Sequence, residues 1–117
     1  MRNDKENIIV TLTFKLSLNI IDFSEEIRNN HKYEMASQIF RSGTSIGANV
    51  AEAQNAESKK DFIHKFKIAA KEADELQYWL RLCEQSQHYP TPNKLINDDL
   101  KSIINIISKI ISSSKQG

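Results

Sequence analysis

Phe62, Phe66, Ala69, Ala73, Leu76, Leu80 and Cys83 follow one another at intervals of 4-3-4-3-4-3. This is the spacing with which an α-helix keeps a single apolar seam against neighbouring helices. A strand sends alternate residues to opposite faces, so the same pattern would be split across both. The helix it predicts covers about residues 58–86 and is about 40 Å long at roughly 1.5 Å per residue. Ser58 stands at its start as an N-cap, with Asp61 three residues on. A seam of that length needs other helices of similar length to cover it.

The remaining chain supplies them. A chain of 117 residues predicts one domain over 1–117, large enough for a core without disulfides or structural metal. With only 3 Gly and 2 Pro, a turn-rich all-β fold is disfavoured. Val10, Leu12, Phe14, Leu16, Leu18 and Ile20 alternate with polar residues as a strand would. However, Ile9, Leu12, Leu16, Ile20, Phe23 and Ile27 also form a helical stripe, and a lone strand would leave its backbone groups unpaired. The first helix is therefore expected over about 8–28 and the second over about 32–54. A fourth is expected over about 92–113, capped by Thr91 with Pro92 in the first helical position. Its stripe is Ile96, Leu100, Ile103, Ile107 and Ile110, widened by Ile104 and Ile111. The isoleucines between 103 and 111 suit either a wide core stripe or burial against another subunit. The tail SSSKQG is expected to fray.

Bulk chemistry narrows the setting. The formal net charge of +1 does not advertise a nucleic-acid binder. A single cysteine, Cys83, excludes an internal disulfide and a zinc finger and fits a reducing compartment. The N-terminus MRNDKENIIV carries acids where a secretory signal has only positive charge. The most apolar tract, 103–111, is interrupted by Asn105, Ser108 and Lys109, so no membrane span is expected. These features predict a cytoplasmic protein without a membrane partner.

The second helix is built unlike the third. At about 100° per residue, Met35, Ile39, Ile46 and Val50 share one face, with Gly43 at its edge. Ala36, Phe40, Gly47 and Ala51 lie on the face beside it. Gly43, Gly47 and Ala51 leave a strip of nearly bare backbone. Each glycine costs about 1 kcal/mol against alanine in a helix, a loss that close approach of another helix offsets. A third strip holds Arg41, Ser45, Asn49 and Glu52, with Ser42 beside it. Read structurally, it is a polar network buried between helices or subunits; read functionally, a recognition surface for RNA or protein. Arg41 and Glu52 are about 16 Å apart along one helix, so each needs another partner.

The segment RSGTSIGANVAEA, preceded by Gln38 and Ile39 and followed by DFIHKFKIAAKEADELQYWL, resembles a bacterial family of four-helix-bundle proteins encoded in intervening sequences of 23S ribosomal RNA genes. Gln38, Arg41, Ser42, Ser45, Ile46, Asn49, Val50, Ala51 and Glu52 match the first part of its pattern, and Phe62, Phe66, Ala69, Glu75 and Leu80 the second. Ala53 departs from it, since many relatives end this helix with glycine. The resemblance implies an all-α, antiparallel up-down four-helix bundle that self-assembles, with a ring-like pentamer favoured. It implies no enzymatic activity. The wider family is similar to an accessory protein of diversity-generating retroelements, associated with nucleic acid and a reverse transcriptase through a basic surface.

One further surface stands out. Lys60, His64, Lys67 and Lys71 lie opposite the apolar seam of the third helix, with Lys59 and Lys65 flanking them. Residues 59–71 hold five Lys against one Asp, a local charge of +4. The plain reading is a solvated helix face, which the near-neutral total and an i,i+4 pair between Lys71 and Glu75 favour. The functional reading is a surface that tracks phosphates. Enzyme chemistry has no comparable support. Asp61 and His64 make only half of a bundle metal motif, and His64 faces away from the seam. Nucleophile-elbow, phosphate-loop and zinc-protease motifs are absent, and no cofactor is expected. Cys83 lies on the core seam as a small hydrophobe. Tyr78 and Trp79 are packing aromatics or base-stacking ones. The expectation is thus a non-enzymatic, self-associating bundle, with RNA or ribonucleoprotein binding through the lysines as the alternative.

Overall fold

The structure, a computed structural model, describes residues 7–116. Residues 1–6, on which the reading of the N-terminus partly rests, and Gly117 of the tail lie outside them. The described residues form four helices: α1 (Ile8–Asn29), α2 (Tyr33–Ala53), α3 (Lys59–Gln85) and α4 (Lys94–Gln116). They make a four-helix bundle in which α1 and α3 each pack against both α2 and α4, and the diagonal pairs do not approach at the backbone. Contacts along the seams show the sense of successive helices. Gly43 of α2 faces Ile20 of α1, and four residues later Gly47 faces Ser17 and Thr13. Arg41 reaches Glu72 and Glu75 of α3, whereas Glu52, further along α2, pairs with Lys65. Neighbours in sequence thus run antiparallel in both pairs.

Helical burial decides the ambiguous first segment. Ile9, Thr13, Leu16, Ile20, Phe23, Ser24 and Ile27 turn inward, a helical rhythm. The strand-like alternates Phe14 and Leu18 are 67% and 50% exposed. Thr13 tolerates its buried place because its hydroxyl donates to the carbonyl of Ile9 at 2.8 Å. The core also takes Ile39, Ile46 and Val50 from α2 and Phe66, Leu76, Leu80 and Cys83 from α3, each at most 1% exposed. Leu100, Ile103 and Ile107 complete it from α4.

The connections show how each helix stops. Helix α1 ends in a pair of bonds from Lys32 N–H to Ile27 O and His31 N–H to Arg28 O. This geometry normally uses glycine at the left-handed position, but here His31 occupies it with φ 63°. Helix α2 ends without glycine: the N–H groups of Gln54, Asn55 and Ala56 each bond three residues back, a tighter winding that suits Ala53. Ser58 caps α3 by accepting the Asp61 N–H at 3.0 Å.

Two boundary expectations are corrected. Helix α4 starts at Lys94, and its cap is Asn93, whose side-chain oxygen accepts the Ile96 N–H at 2.9 Å. Asn caps more effectively than Thr, and Pro92 is buried just ahead of the helix instead of opening it. Helix α4 extends through Gln116, beyond the end expected near residue 113.

Candidate functional site

The polar strip of α2 is occupied within the chain. Ser42 is buried and donates to the Gln38 carbonyl at 2.8 Å; the Asn49 amide donates to the Ser45 carbonyl at 2.9 Å. Both thereby satisfy a polar group with their own helix, which lets short polar residues lie in a seam. Ser45 is half-buried between them. Arg41 donates to Glu75 at 2.6 Å and to Gln38 at 2.9 Å, and its second nitrogen lies 3.5 Å from Glu72. Glu52 accepts from Lys65 at 2.9 Å. The ions at the two ends of the strip thus meet α3 of the same chain.

Gly43 and Gly47 of the bare backbone strip close on α1, while Ala51, its third member, is exposed. A Cβ added at Gly43 would fall 2.6 Å from Ile20 Cγ2, and one at Gly47 3.2 Å from both Ser17 Oγ and the Thr13 carbonyl oxygen. The second residue type considered for contact between copies is also engaged: Ile104, Ile106, Ile110 and Ile111 are partly buried against the core. Among the exposed large apolar residues, which include Leu82 of α3 and Leu95 of α4, several gather on α1. Phe14, Leu18 and Ile21 are four and three residues apart on α1, and Phe40 on α2 is 44% exposed. No pattern in α2 or α4 pointed to the α1 face, although the alternation that mimicked a strand contained Phe14 and Leu18.

The lysines of α3 separate into two groups. Lys65 faces α2 and is bound to Glu52; that hydrogen bond first, and the charge attraction second, hold its pKa above the usual lysine value. Lys65 therefore leaves the basic stripe. The expected Lys71–Glu75 pair does not form, because Arg41 takes Glu75 from across the seam. Among the described residues, Lys59, Lys60, Lys67 and Lys71 make no ion pair. Lys59, Lys60, His64 and Lys67 instead line one open hollow of about 580 Å³ with Ile63 and with Lys115 from the end of α4. Lys115 was not legible as a site residue, since it lies some fifty positions from the stripe and joins it only because α4 runs back alongside α3. Lys71 lies outside the lining.

Among the described residues, no three His, Cys, Asp or Glu side chains are grouped to hold a metal ion. Asp61 accepts the Glu57 N–H at 3.2 Å as part of the α3 cap, and His64 is exposed. Burial, with a smaller push from Glu84, raises the Cys83 pKa to about 11, so its thiol is unreactive near neutrality. Trp79 packs partly buried against the core, with Tyr78 edge-on at 5.6 Å. No described helix is long and apolar enough to cross a membrane.

Four helices packed as a bundle, a polar seam satisfied internally and a basic hollow at one end define an all-α bundle protein. The chain belongs to the 23S rRNA-intervening sequence protein family, whose pattern matches residues 5–113. It is similar to the crystal structure of a protein of unknown function from the S23 ribosomal protein family of Bacteroides thetaiotaomicron. The two share 37% identity and a TM-score of 0.82, over 88% of this chain and 97% of that one. No curated protein matches this sequence.

Proposed function

We propose that this protein is a non-enzymatic, cytoplasmic RNA-binding bundle, acting as one domain and contacting RNA through the adjoining ends of α3 and α4. The observation that carries the reading is the contrast among its cations. Lys15, Arg41 and Lys65 are each paired with a carboxylate across a helix seam. Lys59, Lys60, Lys67 and Lys115 surround one hollow with no acidic partner among the described residues. Unneutralised lysines gathered from two helices create a local positive field that phosphates can fill.

Fluorescence anisotropy with a structured RNA at low and near-physiological salt tests the reading. Affinity should fall by about a decade or more between the two salts if several phosphates are contacted. The double charge reversal K60E/K67E should weaken binding about tenfold or more at low salt, with helix content unchanged. Equal binding by wild type and double variant would sink the proposal.

A second reading, self-association, is supported by the exposed Phe14, Leu18 and Ile21 of α1 and Phe40 of α2. These displace the glycine strip as the surface for contact between copies; the resemblance to the family favours a pentamer. Light-scattering mass decides it. A multiple of 13.4 kDa that collapses to one chain in F14D/L18D is the expected result. A wild-type monomer at high concentration would refute it.

A further inference from the structure

We infer that the hollow between α3 and α4 receives a single unpaired nucleotide of an RNA, and is not simply part of a stripe that tracks duplex phosphates. The inference rests on the RNA-binding reading above. Three observations on the cluster lead to it. It is an open hollow of about 580 Å³, with room for one nucleotide laid against its wall. Its wall is not wholly charged, because Ile63 sits among the lysines and His64 adds a flat ring. Its cations come from two helices: Lys59, Lys60 and Lys67 from α3, and Lys115 from the last turn of α4.

Duplex phosphates ask for something different. A surface that follows a duplex backbone needs cations spread along it, and gains nothing from an apolar wall or from depth. Lys71 would continue such a surface along α3, yet it lies outside the hollow. An unstacked base offers a flat face that lies against an apolar side chain or an imidazole, while its phosphates require cations around the rim. Ile63 and His64 meet the first need; Lys60, Lys67 and Lys115 meet the second. The same chemistry describes a free nucleotide. RNA is favoured because it presents several phosphates in succession, matching four lysines better than one phosphate group does.

The test compares a blunt RNA hairpin with the same hairpin carrying a short unpaired 3′ tail, by anisotropy at low salt. The tailed RNA should bind about tenfold more tightly, and I63D should abolish that preference while retaining hairpin binding. Since I63D could perturb α3, the surface change K115E is the companion variant. It should weaken tailed-RNA binding about as much as K67E does, whereas K71E should have a smaller effect. A silent K115E alongside a damaging K71E, or equal binding of blunt and tailed RNA, would overturn the inference and leave the stripe reading standing. No binding of either RNA would remove both. Nucleoside monophosphate should compete only weakly; competition as strong as that of the tailed RNA would reassign the hollow to free nucleotides and overturn its assignment to RNA.

Discussion

Helices α2 and α4 are nearly equal in length, 21 and 23 residues, and each lies between the same two neighbours. They pack in opposite ways. Helix α2 meets α1 and α3 along most of its length, with glycine against Ile20 on one side and ion pairs on the other. Helix α4 carries isoleucines and touches both neighbours more sparsely. Both described hollows between α3 and α4 lie along it: the basic one, and one of about 250 Å³ lined by Ala70, Asp74, Ile104, Ser108 and Ile111. Side-chain bulk explains the difference. Interhelical distance follows the residues at the contact, so small residues draw helices together and leave no room, while branched ones hold them apart. Space along a helix seam therefore appears on the side of the bulky helix, while a third hollow of about 270 Å³ sits at the α1–α2 turn, lined by His31, Lys32, Tyr33, Glu34, Met35 and Tyr89.

The sharpest way to break the comparison is to add bulk on the tight side. Gly43→Leu should lose about 3 kcal/mol of stability in urea denaturation, because even a Cβ there collides with Ile20. A loss within experimental error would mean that the α1–α2 seam is not close-packed. Helix α3, shared by both sides, gives a measure of how dry the core between them is. The Cys83 pKa is raised from 9.0 to about 11, so the protonated thiol is the form the fold favours. Its contribution is complete below pH 9 and is lost as pH rises through about 11. Wild type should accordingly lose on the order of 2 kcal/mol relative to Cys83→Ala across that window. Parallel pH profiles of the two proteins would show a solvated thiol.

Adding bulk on the loose side should have the opposite sign. Ala70 borders the 250 Å³ hollow, and Ala70→Leu should raise stability by about 1 kcal/mol as cavity-filling changes do. Destabilisation comparable to that of Gly43→Leu would erase the distinction between the two helices. The smallest effect belongs to the ion pairs. Arg41→Ala should cost about 0.5–1 kcal/mol, since the arginine is half exposed while Glu72 is largely covered. RNA affinity should be unchanged in this variant, and a drop matching that of K60E/K67E would make the α2–α3 seam part of the binding surface.

Much of this architecture was legible before any coordinate. The 4-3 spacing from Phe62 to Cys83 could bury one stripe only as a helix, and all but Phe62 of that stripe are fully buried. Ser58 with Asp61 announced the start of α3, because a cap is a local hydrogen bond. The start of α4 was harder to read: Thr91, Pro92 and Asn93 all suit a helix entry, and which of them caps depends on how Pro92 is buried. The α2 glycines announced a close approach but not the helix that would make it.

The sequence by itself determined that α2, α3 and α4 are helical and which stripe of each is apolar, because periodicity and capping act within a few residues along the chain; the α1 segment alternated as a strand would as well. Tertiary structure decided the partners. It gave Glu75 to Arg41 in place of Lys71, drew Lys65 to Glu52, and closed Gly43 on Ile20. It also brought Lys115 beside Lys59, Lys60 and Lys67. An ion pair or a hollow is a matter of distances of a few ångströms between residues far apart in sequence, and those distances exist only once four helices have settled at separations set by the side chains between them.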